Sequence, residues 1–487
     1  MYLLLKNLKF KKLGIAALIA FVFFLVMIYF LPTEKYSWVK SIKETIPQKY
    51  KNKIKSTIFI VPELNKKVLD MSRDIRKLES QIRLNKSETN LLRSEIDGIN
   101  IKNIKFKITK KNIPFAKTVN YGDGKPVSYM AKFKDEIIFV AGYGDILYSK
   151  PENFLSDTKI KYAKIKNNLR KKITDDAFWD LNSSIIVKDR SGWKNNLSNG
   201  VSVKGILIHK GILYIAYLKE IKKQCYATSI ISAEMNLSYL EFTNFYTPAN
   251  CISPLDTEFL PHAAGGRMVV YKNNQILLTV GDFSHFNIAQ DDKLNFGKVI
   301  SIDLVTKKSK FFSKGHRNPQ GLIYLQKKDI VLSTEHGPRG GDEINKIIEN
   351  GNYGWPIASY GTIIGHELKK NGPTFSNHEK NGFVEPIYHW DINPGIGQIV
   401  EIPSSFAKKL ENHFFITSLS GSIDKNNLLQ GESLYLVKFN EDYDGVISMD
   451  RLYIGQRIRD IIYVEKLKGF LIAMENTSSI GFVRQKK

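Results

Sequence analysis

An all-β fold of many short strands is predicted for residues 103–487, on three observations. Apolar and polar residues alternate over short runs such as Ile137–Ala141, Gly205–His209, Ile212–Tyr217, Met268–Tyr271, Gln275–Val280 and Lys298–Ile302. Gly, Asn and Asp punctuate the gaps between these runs, and helical periodicity is scarce. That pattern belongs to a sandwich, a barrel or a propeller, and the length is generous for a sandwich, which favours the propeller. Internal repeats are not legible, so blade boundaries do not follow from the sequence. Residues 144–200, rich in Lys and Asn, are expected to include an irregular insertion.

Different patterns precede this domain. Leu13 to Leu31 reads LGIAALIAFVFFLVMIYFL, long enough to cross a bilayer at about 1.5 Å per residue. No small-x-small cleavage site appears before Pro32, so residues 13–32 are expected to be an uncleaved transmembrane anchor rather than a signal peptide. Lys6, Lys9, Lys11 and Lys12 crowd its leading flank, which predicts a cytoplasmic N-terminus over residues 1–12 and a periplasmic or otherwise extracytoplasmic body. Residues 33–62, Lys-rich with Pro47 and Pro62, read as a juxtamembrane linker.

Residues 63–99 carry Leu64, Val68, Met71, Ile75, Leu78, Ile82, Asn85, Thr89, Leu92, Ile96 and Ile99 at alternating spacings of four and three. This is the a/d seam of a coiled-coil stalk, and it predicts a homo-oligomer. A single amphipathic helix lying on the propeller is the alternative, but Arg73, Lys77 and Arg83 leave only a narrow apolar seam. Gly98 is expected to end the helix.

The formal net charge is +24, from 72 Lys and Arg against 48 Asp and Glu, and residues 1–120 alone hold 25 against 9. The basic excess therefore sits mainly in the N-terminal arm and reads as a solvated Lys-rich surface; as a binding surface it would suit anionic lipid or envelope polymer better than nucleic acid. With no nucleic-acid-binding motif in the chain, nucleic acid is not an expected partner. The two cysteines, Cys225 and Cys251, exclude a disulfide scaffold and a Cys-based zinc site; they either pair in an oxidising compartment or stay as buried thiols.

The most informative stretch runs from Gly315 to Gly361, GHRNPQGLIYLQKKDIVLSTEHGPRGGDEINKIIENGNYGWPIASYG. Two strand-like runs, Leu322–Leu325 and Ile330–Ser333, put its polar residues on turns, where sites usually lie. Gly337 and Pro338 form a carbonyl-rich turn flanked by Glu335, Asp342 and Glu343, a ligand set suited to a hard cation such as calcium. Arg317 and Asn318 add donors for an anionic, planar ligand. Downstream, Arg457 and Arg459 lie two residues apart, so in a strand they share a face, and side by side they repel unless an anion lies between them. Two lesser motifs fail: Asn440–Gly445 begins like a calcium loop but has Arg451 at its twelfth position, leaving a hairpin turn, and Gly365-His366-Glu367 lacks a second histidine for zinc.

The runs HRNPQG, EHGPRGGDEIN and GNYGWP, with HAAGG and the Gly-Asp pair at Asp282, resemble the glucose/sorbosone dehydrogenase family. These are soluble quinoproteins that hold pyrroloquinoline quinone (PQQ) and calcium on a six-bladed β-propeller. The resemblance implies that His262 is the general base and Asp282 its support, and that Arg317 is a donor to cofactor and transition state. It implies that Asn318 lines the cofactor pocket and that Arg457 and Arg459 clamp the PQQ carboxylates. The carbonyls of Gly337 and Pro338 would hold a catalytic calcium; Glu343 and the Tyr353 carbonyl would hold a structural one.

Departures accompany the match. Ser420 stands where the family has a cofactor-contacting lysine, Ser301 stands where an arginine is usual, and residues 103–254 match poorly, with no identifiable counterpart of an early cofactor-facing glutamine. The expected function is oxidation of an aldose-type sugar by hydride transfer to PQQ, with electrons leaving to an unidentified acceptor. The alternative is a catalytically inactive propeller that binds glycan or protein on a coiled-coil stalk.

Overall fold

A computed structural model describes residues 95–101, 104–112, 128–142, 144–156, 160–173, 186–188, 194–196, 203–253, 259–338, 340–361, 378–419, 421, 430–477 and 479–486. The expected anchor, the linker, the heptad segment as far as residue 94, and Ser420 lie outside them. Among the described residues no helix is long and apolar enough to cross a membrane.

Six antiparallel sheets follow one another along the chain. Blade 1 is Ser128–Phe133, Glu136–Ala141, Ile146–Ser149 and Ala163–Lys164; blade 2 is Val203–His209, Ile212–Lys222, Cys225–Glu234 and Thr243–Tyr246. Blade 3 is Gly265–Tyr271, Gln275–Val280, Lys298–Asp303 and Ser309–Lys314, with Gly351–Asn352 added in parallel at its outer edge. Blade 4 is Pro319–Leu325, Ile330–Glu335, Asp342–Ile347 and Tyr388–Trp390; blade 5 is Ile396–Glu401, His413–Ser418, Ser433–Phe439 and Val446–Tyr453. Blade 6 takes Ile458–Val464, Gly469–Met474 and Ser479–Gln485 from the C-terminal end, then Ile104–Asn112 and Glu95–Ile101 from the other end of the domain. The first strand of each blade touches the first strand of the next, and blade 6 returns to blade 1. This is a closed six-bladed propeller.

The ring is held by apolar wedges between blades. Leu277 and Val299 of blade 3 pack on Leu322 and Val331 of blade 4, Leu332 and Ile344 of blade 4 pack on Phe414 and Ile416 of blade 5, and Phe415 of blade 5 meets Phe470 of blade 6 at 5.1 Å. Middle strands are therefore buried on both faces: Leu213 through Leu218 are all buried, although both members of each alternating pair are apolar or aromatic. Cys225 and Cys251 are bonded, with their Cα atoms 5.3 Å apart. The link closes a loop whose restriction in the unfolded chain is worth roughly 3 kcal/mol.

The expected strands are found, with Gln275–Val280 recovered at both ends and the hairpin across Asn440–Gly445 present. One expectation is corrected. The heptad segment was predicted to run to residue 99, but Glu95–Ile101 is a strand paired antiparallel to Ile104–Asn112, with Ile99 opposite Phe106. β-Branched isoleucine favours extended backbone, and Gly98, expected to stop a helix, instead lies where the register shifts between Ile96 and Ile99. Within residues 144–200, where an irregular insertion is expected, Ile146–Ser149 and Ala163–Lys164 complete blade 1.

Candidate active site

Charged side chains gather where the inner strands of blades 2, 3, 4 and 6 meet. Arg267 reaches from blade 3 across the ring to blade 6, where Nη1 bonds Asp460 Oδ1 at 2.8 Å and Nη2 donates to the Arg459 carbonyl at 2.7 Å. Its Nε donates to the Gln320 carbonyl of blade 4 at 2.9 Å, and Asp460 Oδ2 accepts the Met130 N–H of blade 1 at 2.8 Å. One buried ion pair thus ties four blades together.

Beside it, Arg457 and Arg459 share a face, as their spacing predicts. The anion between them is protein: Glu475 accepts Arg457 Nε at 2.8 Å on one oxygen and Arg459 Nε at 2.6 Å on the other. Burial pushes the Glu475 pKa up, but the two guanidinium groups outweigh it and hold it below the usual carboxylate range. Arg459 Nη1 also donates to Gln320 Oε1 at 3.2 Å, Gln320 Nε2 donates to Asn318 Oδ1 at 2.8 Å, and the same oxygen accepts the Gly265 N–H at 3.3 Å. A hydrogen-bond chain therefore fixes Arg459 and Asn318 relative to the turn that follows His262.

His262 stands on that turn. Part of its surface stays open, yet packing around it is dense enough that burial is the first cause pushing its pKa well below the usual imidazole value, followed by Lys204, Arg459 and Arg457. The ring is neutral at neutral pH and so able to accept a proton. Lys204, on the inner strand of blade 2, donates to the Pro261 carbonyl at 2.9 Å.

The HRN turn carries the other half of the site. Arg317 Nη1 donates to the carbonyls of His336 at 3.0 Å and Gly337 at 2.8 Å, its guanidinium lies 5.5 Å from the Trp355 ring centre, and its Nε is buried without a partner. Trp355 in turn donates its indole N–H to Asp282 Oδ2 at 2.7 Å, while Asp282 Oδ1 accepts the Ser284 N–H at 2.8 Å. Burial raises the Asp282 pKa to about 6 against the pull of Arg317. The turns of His262 and Asp282 are joined by backbone bonds, from Phe283 N to the Ala263 carbonyl at 3.0 Å and from Leu260 N to the Phe283 carbonyl at 2.7 Å. Glu335 anchors the same turn through His316 Nδ1 at 2.9 Å and the Arg317 N–H.

Gly337, Pro338, Glu343 and Tyr353, the four expected metal-site residues, line one small cavity with Arg317, Glu335 and His378. The Gly337 and Pro338 carbonyls also face Asn393 Nδ2, at 3.4 and 3.3 Å. Glu343 is buried, and its pKa is pushed well above the usual range, first by burial and then by Glu335; His378 Nε2 lies 4.0 Å from it. Asp342 pins the turn to blade 5, accepting the N–H groups of Gly337 and Gly395 at 2.9 and 2.7 Å. Among the described residues no three His, Cys, Asp or Glu side chains converge as metal ligands.

A family model described as Glucose / Sorbosone dehydrogenase matches residues 200–482, more than half of the chain. The chain belongs to the glucose/sorbosone dehydrogenase family. It is 31% identical over 212 residues to the aldose sugar dehydrogenase YliI of Escherichia coli, covering 40% of this chain and 53% of that protein. It is 32% identical over 126 residues to the quinoprotein glucose dehydrogenase B of Acinetobacter calcoaceticus, covering 20% of this chain and 26% of that one. The aligned part thus spans about half or less of each of these relatives. The fold extends further: the apo-form crystal structure of the soluble aldose sugar dehydrogenase from Escherichia coli covers 78% of this chain and all of its own, with a TM-score of 0.56 at 17% identity. That of the PQQ-bound aldose sugar dehydrogenase from Streptomyces coelicolor covers 78% and 98%, with a TM-score of 0.50 at 14% identity.

Within this family member, residues that motif reading missed complete the site. Glu475 follows an apolar strand, and its signal is a lone carboxylate one hairpin away from two arginines; Ile458 pairs with Met474, which brings Arg457 and Glu475 together. Trp355 belongs to the GNYGWP run, and Lys204 lies within the matched residues in a stretch that carries no motif of its own.

Proposed function

We infer that this family member is a PQQ- and calcium-dependent oxidoreductase acting on an aldose-type sugar. The carrying observation is the like-charge crowding around His262, where Lys204, Arg457 and Arg459 all act on the imidazole and Glu475 bridges both arginines. A polyanionic carboxylated cofactor suits such a donor set, because guanidinium groups bind carboxylates in a fixed geometry. Bound PQQ supplies the two-electron oxidant that oxidation of a sugar C–H bond requires. Arg457, Arg459 and Asn318 would hold it, and Arg317, fixed by Trp355 and the Gly337 carbonyl, would donate to it and to the reacting oxygen. His262, neutral through burial, would take the proton of the anomeric hydroxyl. Asp282 acts on His262 through the paired turns.

The cavity fits a cation at Glu343, a buried carboxylate whose pKa is pushed well above its usual range. The Tyr353 carbonyl would complete that structural calcium site. A catalytic calcium on the Gly337 and Pro338 carbonyls would compete with the Arg317 and Asn393 donors that now face them. We further infer a cytoplasmic N-terminus, a single membrane anchor over residues 13–32, a self-associating stalk and an extracytoplasmic propeller, supported by the charge and periodicity of residues 1–94.

The test is full-length protein incubated with PQQ and calcium and assayed for dye reduction over a panel of aldoses. Calcium-dependent turnover that falls at least about a hundredfold in His262→Ala is the expected result. If folded protein neither binds PQQ nor reduces dye, a glycan- or protein-binding propeller replaces this reading.

A further inference from the structure

We propose that Lys204 is a cofactor-binding residue of this chain, supplying from blade 2 the cationic contact that its sequence lacks at Ser420. The assignment rests on the PQQ reading above.

Local packing places Lys204 there. The inner strands of blades 2 and 3 approach until their backbones touch: a Cβ added at Gly205 would lie 2.2 Å from the Gly266 carbonyl, and one added at Gly266 would lie 2.2 Å from Lys204 Cβ. Gly266 has φ +106, a conformation that L side chains rarely adopt. The Gly-Gly turn after His262 therefore leaves the space that the Lys204 side chain fills. The residue is 4% exposed, its Nζ bonds the carbonyl of the residue before His262, and burial, with Arg459 behind it, pushes its pKa well below the usual lysine value.

A second buried lysine shows the contrast. Lys298 Nζ is enclosed by the carbonyls of Ile288, Ala289 and Phe296 at 2.8–3.3 Å, a set that fixes one turn. Lys204 Nζ instead donates to the Pro261 carbonyl beside His262, where it and Arg459 both act on the imidazole. Like charges packed together in a poorly solvated place raise the free energy of the empty site and lower it again when an anion arrives. A residue serving only the Pro261 carbonyl would need a donor but no charge.

Substitution can separate the two roles. Lys204→Gln keeps a donor for the Pro261 carbonyl and removes the charge, and Lys204→Met removes both. Full-length wild type and both variants are titrated with PQQ, followed by quenching of protein fluorescence at low and high ionic strength, and each is melted without cofactor. The expected result is at least a tenfold weaker PQQ affinity for Lys204→Gln with a shallower salt dependence, at an unchanged melting temperature. If wild type binds PQQ and Lys204→Gln binds it equally tightly, the assignment is overturned and Lys204 is a turn fixture. If wild type does not bind PQQ, the cofactor reading falls and this one with it. Should Lys204→Met fail to fold, Lys204→Gln alone decides.

Discussion

Two arginine clusters lie side by side at the centre of the ring and behave differently. In one, Arg267 meets Asp460 one to one, and its remaining nitrogens donate to the carbonyls of Arg459 and Gln320. In the other, Arg457 and Arg459 share the single carboxylate of Glu475, with Lys204 and His262 close by. The first sets one cation on one anion and joins four blades; the second sets two guanidinium groups on one carboxylate. The same residue types therefore make a strut or a cation-rich cluster according to the ratio of charges, and the ratio is invisible until the partners are known.

The largest effect should come from the balanced pair. Arg267→Met leaves Asp460 buried without its cation, which costs roughly 3–5 kcal/mol of a stability on the order of 5–15 kcal/mol. Urea unfolding measures this, and a loss below about 1 kcal/mol would remove the strut from the comparison. Arg459→Met should cost less, about 1–3 kcal/mol, because Glu475 keeps Arg457. Its larger effect is expected on PQQ affinity, at least tenfold weaker by titration. Equal stability losses in the two variants with unchanged affinity would erase the distinction.

The smallest effect is a slope with pH. Asp282 titrates near 6 when folded and near its ordinary value when unfolded, so between those values the folded state binds more protons and stability falls as pH rises. The slope is about 1 kcal/mol per pH unit between pH 5 and 6. Glu475 has the opposite sign: its pKa is lowered on folding, so its contribution is present above the usual glutamate value and is lost on acidification. Melting curves across pH 4 to 8 should flatten in Asp282→Asn relative to wild type, and an unchanged curve would show that Asp282 is not protonated in the folded state.

Much of the propeller was legible because its strands are short, apolar and separated by turn residues. The runs HRNPQG, EHGPRGGDEIN and GNYGWP carried the site because each is local: a turn's chemistry is written in adjacent residues. Arg317, Gly337, Glu343 and Tyr353 consequently do line one cavity. What depended on long-range pairing was not legible. Glu475 reaches the arginines only through the register of a hairpin, and Arg267 finds Asp460 across the ring, 193 residues away. The bond from the Trp355 indole to Asp282, across 73 residues, was likewise not legible. Glu95–Ile101 failed for another reason. Isoleucines at 96 and 99 satisfy a heptad as well as they line a strand, and only a pairing partner decides between them.

The ring closes through the first and last parts of the propeller, with Phe106 to Asn112 lying against Ser479 to Gln485. During synthesis the strand at 104–112 leaves the ribosome long before its partner exists, so it must wait, with a polar edge and an apolar face exposed, while five blades are made. Its assembly is the most non-local step in the domain, of the kind that slows folding and leaves strand edges open to wrong partners. A chain interrupted before Ser479–Gln485 is made would carry two unmatched strands at opposite ends of an open ring, each able to recruit another copy.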